Sequence, residues 1–565
     1  MDGPDYWTRR RLSRRRLLAG TGYAVVGLVG TTLAGCSSNN AGKPASPASQ
    51  ASTRPSSAQT SAPAAKQTAA AAPAIGKRGG DLHVGITYQP SSLDAQLAAN
   101  GGDSFFIDAI YNGLLAYDQA GNLEQDRALS SAYELVDDTT VTFHLRQNVK
   151  FSDSTDFNAS AVKYNIARGQ DPSLAAVVFS NLKPITSVET PDTATATLKL
   201  SAPSPGLLVD LGGRPGYMLS PTAVDKLGKQ FGSNPVGTGP FVLADYAAGS
   251  QVTLKKNPGY WRKAPDGSPF PYLDTVIVRT VLDATARYAG ITTGDLQLTS
   301  IDTPDVPKVK SSTSLSLIQA DGGTVNSSML VFNVAVPPCD NVNVRRAVAW
   351  ALDPNAVNKA VYGGLSRVAD AFLYTPGSWS YQPIPSRPHY DAAKAKSFLS
   401  QAGVSGTLAL NMLCHSAPAV VQQTQIYQEE LRQIGISVNL TTEAVSQATQ
   451  HFFQTGGVPV YSTTWGTSTS PDSATLVTLD KDGFYNPAKK QDPDLQALLE
   501  KARTMYDENQ RKTLYEQIAE MALDRAQFVP MLYGTTFGGV TKNVKGTERI
   551  WTAGATWRYE ELSLS

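Results

Sequence analysis

The residues of this chain that could make or break bonds are few and poorly spaced for it. The five histidines, His83, His144, His389, His415 and His451, include no pair four apart, so no helix face offers two imidazoles to one metal ion. Cys414 and His415 form a soft donor pair, but adjacent residues do not easily turn both side chains to one ion. No Gly-x-Ser-x-Gly elbow, no His-Glu-x-x-His helix and no Walker-type phosphate loop is present. Gly237-Thr238-Gly239 fails as a dinucleotide loop because Val242 stands where a third glycine is needed. Its glycines read instead as a tight turn with positive φ. Asp137-Asp138 reads as a solvated turn and Arg345-Arg346 as a solvated or paired helix face. What remains is binding chemistry: Trp465 stands inside Thr463 to Ser470, a window of hydroxyls around one aromatic face that suits stacking and hydrogen bonding.

At the start of the chain the chemistry is that of an address. Arg14 and Arg15, within Ser13-Arg14-Arg15-Arg16, precede an uncharged run from Leu17 to Gly35, and Leu33-Ala34-Gly35-Cys36 closes it. The first element resembles a twin-arginine export signal. The second resembles a lipobox, where a peptidase cuts before a cysteine that takes lipid. Residues 1–35 are therefore expected to be a signal peptide and Cys36 a lipid anchor, placing the protein on the outer side of a membrane. The alternative is an uncleaved span, weakened by Gly20, Gly22, Gly27 and Gly30. Residues 1–35 hold six Arg and two Asp, so a chain of net charge +1 leaves −3 on the remainder, with no basic character for nucleic acid.

Residues 37–74 contain no aromatic residue and no Leu, Ile, Val or Met, so nothing offsets the entropy of ordering them. We expect 36–78 to be a disordered, lipid-anchored linker reaching on the order of 35 Å. From 79 to 565 the composition is globular and too long for one core. Strand-like runs start at Asp81, Val141, Thr195, Val252, Val276 and Leu330. Val344, Ala347, Val348, Ala351 and Leu352 share a helical face, as do Leu495, Leu499, Ala502 and later Leu514 and Ile518. Asp492-Pro493 is a helix start. This mixture implies an α/β body. Cys339 and Cys414 could pair in an oxidising compartment or stay isolated thiols, and spacing does not decide.

Several segments, in order, resemble the family 5 extracellular solute-binding proteins of ABC importers, the oligopeptide, dipeptide and nickel-type receptors. They are Ile110 to Asp118, Thr142 to Phe151, Asn158 to Val162, Pro235 to Phe241, Asn257-Pro258-Gly259-Tyr260-Trp261, Phe332-Asn333 with Asn343 to Pro354, and Trp465-Gly466. The resemblance implies a two-lobed, periplasmic-binding-protein-like α/β fold (type II, cluster C) with a hinge and an extra inserted subdomain. The implied boundaries are lobe I at 79–125 and 233–325, an inserted subdomain at 126–232, lobe II at 326–528, and a return to lobe I at 529–565. It implies capture of a small solute, peptides first, in an interlobe cleft and delivery to an ABC permease, without catalysis. Oligosaccharide and metal–chelator receptors share the fold; a lipid-anchored hydrolase, or a sensor or folding helper, is the rival of another class. The expected state is a monomer, with no cofactor, metal or nucleic acid.

In peptide-binding members a Trp is followed three residues later by an Asp that pairs with the peptide's amino group. Here Trp465 is followed by Gly466, Thr467 and Ser468, so a serine stands where the carboxylate would be. A buried ammonium left without its partner costs about 3–5 kcal/mol. Either Asp472 replaces that acid or the ligand is not held by a free amino terminus. The expected ligand-binding set is Trp465, Gly466, Ser468 and Asp472, with Tyr88 after the first strand and Asn333 at the lobe crossing.

Overall fold

Alternation sets the first strand. In Asp81–Ile86 the side chains of Leu82, Val84 and Ile86 are fully buried while Asp81 is exposed. This strand lies in the middle of a seven-stranded sheet, the frame of lobe I. The order is Leu315–Gln319, Phe537–Thr541, Leu298–Ile301, Asp81–Ile86, Thr275–Thr280, Gln251–Lys256, Phe241–Ala247. Asp81–Ile86 runs parallel to Thr275–Thr280, with Asp81 opposite Thr275 and Ile86 opposite Thr280. Our computed structural model describes residues 77–98, 101–118, 123–174, 176–320, 326–374, 376, 378–466, 470–481, 483, 485–490, 492–552 and 556–565. The expected signal segment with Arg14 and Arg15, the lipid site Cys36, the linker up to 76, and Ser468 lie outside the described residues.

A second, antiparallel sheet orders as Ser130–Asp137, Thr140–Leu145, Thr195–Leu200, Ile185–Asp192. It has its own core, in which Val141, Phe143 and Leu198 meet Val162 and Ile166 of the helix Ala159–Gly169. That helix is capped at its start by the Asn158 side chain, which accepts from the Ala161 N–H at 3.2 Å. Lobe II is built on a six-stranded sheet ordered Arg367–Val368, Phe528–Tyr533, Asn326–Phe332, Val460–Gly466, Leu408–His415, Ile436–Glu443. Leu408–His415 and Ile436–Glu443 run parallel and are joined by the helix Pro418–Gln433. Separate apolar clusters contain Leu330 and Phe332 on the one hand and Met329 and Val331 on the other, the period of two expected of a strand buried on both faces.

The chain crosses between the two large sheets twice. It leaves lobe I after Ala320 and enters lobe II at Asn326; it returns between Tyr533 and Phe537. The Ala320 N–H donates to Thr536 O at 3.0 Å, holding the start of the first crossing against the end of the second. Because Phe528–Tyr533 belongs to the lobe II sheet, the return falls after Tyr533 and not at 529. That strand is buried at every position, so it lacks the alternation that would mark its sheet.

Two other expectations are corrected. Gly237 and Gly239 are not at positive φ. They are glycines because backbone presses on them: a Cβ on Gly239 would stand 2.4 Å from Ile110 C, and one on Gly237 2.2 Å from Ile110 O. Of the two arginines read as a solvated or paired helix face, Arg346 is paired, with Asp524 at 2.7 Å, but Arg345 is neither solvated nor ion-paired among the described residues. It is buried and donates to the carbonyls of Cys339 (2.8 Å) and Arg525 (2.8 and 3.0 Å). Cys339 and Cys414 are both free and buried.

Candidate functional site between the lobes

A cavity of about 1320 Å³ opens between the lobes, lined from lobe I, from the second crossing and from lobe II. The helix Ser104–Ile110 supplies the centre of the lobe I wall. Its spacing puts Ser104, Phe105 and Asp108 on one face, with Tyr111 and Asn112 just beyond its end. The glycines at 237 and 239 brace the back of this segment. Asn112 is fixed there by three partners: Trp261 Nε1 donates to its Oδ1 at 3.0 Å, Thr238 Oγ1 at 3.3 Å, and its Nδ2 reaches Tyr260 Oη at 3.5 Å. The Asn257 to Trp261 segment thus acts as a buttress for a cavity residue. Its Asn257 side chain accepts from the Gly259 N–H at 3.0 Å and donates to Gly239 O at 2.8 Å.

Asp108 faces the cavity with Oδ1 accepting from Tyr217 Oη at 2.7 Å; Thr556 Oγ1 stands 3.5 Å from Oδ2. Burial, the strongest influence, pushes its carboxyl above the usual range, while the Tyr217 bond and the charges of Arg558 and Arg214 pull it down. Tyr217 in turn stacks on Tyr111, centroids 6.2 Å apart. Other charged groups in and behind the wall form a network. Arg127 pairs with Glu560 and, at 2.6 Å, with Glu561; Arg262 reaches Glu560 at 3.2 Å and Glu561 at 2.8 Å; Arg558 pairs with Glu124. The guanidinium charges hold Glu124 down to about 2 despite the opposing effect of burial. This network ties the C-terminal segment to the start of the four-stranded domain.

Lobe II contributes Val361, Tyr362, Gln422, Val445, Thr464 and Gly466, with the first residues of the helix Pro418–Gln433. Tyr362 is held by a bond from its hydroxyl to Gln423 Oε1 at 3.0 Å, within a buried network that includes Ser328 and Ser462. Thr535 and Thr536 of the second crossing and Phe537, which opens the next lobe I strand, complete the wall.

Of the expected ligand-binding residues, Tyr88 and Gly466 line this cavity, Tyr88 stacked on Phe105 with centroids 5.7 Å apart. Trp465 does not line it. It points to the opposite side of its strand from Thr464 and packs edge-on against Tyr485, centroids 4.2 Å apart. Asp472 is buried in the first turn of the helix Pro471–Thr478, where Arg511 and Tyr515 donate to it. Asn333 is buried in a turn, its Oδ1 accepting from the Ala335 N–H at 3.1 Å. Asp108, Tyr217 and Tyr362 escaped the sequence reading. The one signal available for Asp108 was an acid inside an otherwise apolar run, Phe105-Phe106-Ile107-Asp108-Ala109-Ile110. Among the described residues no group of three or more metal-ligating side chains occurs.

The family profile described as bacterial extracellular solute-binding proteins, family 5 Middle, matches residues 124–487. Among similar proteins is the glutathione-binding protein GsiB of Salmonella typhi, 28% identical over 495 residues that cover 84% of this chain and 93% of that relative. GsiB of Escherichia coli (strain K12) is 27% identical over 480 residues, covering 82% and 91%. Among solved structures, the dipeptide binding protein from Pseudoalteromonas sp. SM9913 in complex with Met-Leu superposes with a TM-score of 0.75 at 22% identity, covering 86% of this chain and all, 100%, of that one. NikZ from Campylobacter jejuni in complex with Ni(L-His) gives 0.75 at 21%, covering 86% and 99%. The two structural likenesses concern the fold alone.

Proposed function

The chain belongs to the bacterial extracellular solute-binding proteins of family 5, which capture solutes for ABC importers and are not enzymes, and on that premise we propose that its own solute is a short peptide held between the lobes. The observation that carries the reading is the cavity of about 1320 Å³, walled by both lobes and by a crossing. It exceeds the roughly 300–1,000 Å³ of drug-sized ligand sites and leaves room for a peptide of a few residues. A ligand touching both lobes favours their closed arrangement, which is the form a permease would recognise. Tyr88 and Gly466 are proposed as contacts.

Thermal melting of the purified protein tests the ligand class. The panel is Met-Leu, glutathione, a tetrapeptide, chito- and cello-oligosaccharides and nickel–histidine. A peptide at a hundredfold excess over its Kd is expected to add about 2.7 kcal/mol of stability. A shift with a sugar or the nickel complex alone would replace the peptide reading. We further propose that the protein leaves by the twin-arginine route, is lipidated at Cys36 and works as a monomer at the membrane. Cys36→Ser is expected to release it from the membrane fraction, read by immunoblot; retention would favour an uncleaved span.

A further inference from the structure

The charges on the cavity wall are distributed unevenly. Among the described lining residues, lobe I supplies Asp108, Arg127, Arg214, Asp302, Arg558 and Glu560, while lobe II supplies none. Two of the three carboxylates are already neutralised. Asp302 accepts from the buried Arg287 at 2.7 Å, and Glu560 is held by Arg127 and Arg262. Asp108 is the exception: its hydrogen-bond partners are two hydroxyls, those of Tyr217 and Thr556. The arginines nearest it are committed elsewhere, Arg558 to Glu124 and to Tyr117 O (2.7 Å), and Arg214 to Ala98 O (2.6 Å).

We propose that Asp108 is the specificity-determining anchor of this cavity and takes the ammonium group of the ligand, a primary amine such as a peptide's free amino terminus. The inference rests on the reading that the cavity holds the solute. A partly desolvated carboxylate with no cation in hydrogen-bond contact is incompletely compensated, and a ligand ammonium would supply that contact. The geometry leaves room for it. Tyr217 occupies Oδ1 with a short bond, while the contact to Oδ2 is long at 3.5 Å, and a carboxylate has about four acceptor positions. Glu124 balances Arg558, while Arg214, bonded to the neutral Ala98 carbonyl, keeps its charge and is the one cation that a bound ammonium must offset. The anchor thus sits on lobe I, and it answers the loss of an acid three residues after Trp465. Asp472, the acid nearest that position, is already bonded to Arg511 and Tyr515.

The test is calorimetric titration of the wild type and Asp108→Asn with Met-Leu and glutathione, each paired with its N-acetylated form. The amide keeps an acceptor for Tyr217, so the unliganded melting temperature of D108N is expected within a few degrees of wild type. The wild type is expected to prefer each free amine over its acetylated partner by tenfold or more. D108N is expected to weaken free-amine binding to the acetylated level and leave acetylated binding within threefold. A preference that survives in D108N overturns the proposal while peptide capture stands. So does equal wild-type affinity for free and acetylated forms, a comparison that needs no variant. Binding of none of the four by the wild type overturns the peptide reading and the ammonium anchor with it.

Discussion

Arg345 is a buried cation that no carboxylate among the described residues pairs with. Its guanidinium spans the gap between two helices, donating to the carbonyls of Cys339 and Asp340 on one side and of Arg525 on the other. Burial lowers its pKa to about 10, which still leaves it charged at neutral pH. Arg345→Met keeps the volume but leaves those carbonyls without donors, and it is expected to lower unfolding free energy by about 2 kcal/mol or more, measured by denaturant titration. Trp465 makes a contrasting case. Packed on Tyr485 and away from the cavity wall, it is expected on substitution by Ala to lower the melting temperature through lost packing while keeping most of the ligand-induced shift. Loss of that shift would put Trp465 in the site. Residue types alone could identify neither role. An arginine in an otherwise amphipathic helix reads as surface, and a Trp among hydroxyls reads as a ligand platform. Asp108 was equally hidden, since the cavity wall gathers side chains from segments as far apart as 87 and 560. No local period links them.

Short helices from different lobes also meet. Pro205–Asp210, on the four-stranded domain, faces Pro471–Thr478 of lobe II: Ser473 Oγ donates to Asp210 Oδ1 at 2.9 Å, and Asn181 Nδ2 to Oδ2 at 2.9 Å. The approach is close because residue 206 is glycine; a Cβ there would stand 2.6 Å from Asp472 Oδ2, which Arg511 and Tyr515 hold in place. Gly206→Ala is therefore expected to weaken ligand affinity, measured by calorimetric titration, by holding the helices apart, although residue 206 itself does not line the cavity. Asp210 should also make closure depend on pH. Burial, the largest effect, raises its carboxyl from 3.8 to about 6, and the charge of Asp472 adds to this while the hydrogen bonds and Arg511 oppose it. Separated lobes would return it towards its ordinary value, so closure takes up a proton. The resulting advantage is complete below about pH 4 and is lost as pH rises through about 6. Affinity for a ligand from the panel is expected to fall about tenfold from pH 5 to pH 7, and Asp210→Asn to flatten that slope; an unchanged slope would assign it to other groups. At this scale the sequence was largely readable. Asp81–Ile86 and Thr195–Leu200 alternate, and Asp492 caps its helix by accepting from the Leu495 N–H at 3.2 Å. The single face drawn from Leu495 to Ile518 proved to be two helices, Pro493–Arg503 and Glu508–Asp524, the second capped by Asp507. Periodicity does not show a break that keeps phase.

In the two-lobed body the ligand is expected to do more than fill space. Small-angle scattering should report a smaller radius of gyration for the protein saturated with a binding panel member than for the ligand-free protein. An unchanged radius would mean that the lobes do not move. What kind of movement is permitted follows from the Ala320 to Thr536 bond. Two separate, unlinked strands would let one half swing, slide and twist against the other. Tied by a backbone bond at the lobe I end and by the Ser327–Tyr533 pairing at the lobe II end, they are expected to favour rotation over sliding. The permease would then meet one docked pose, and a cargo that fits badly would show as an incomplete swing.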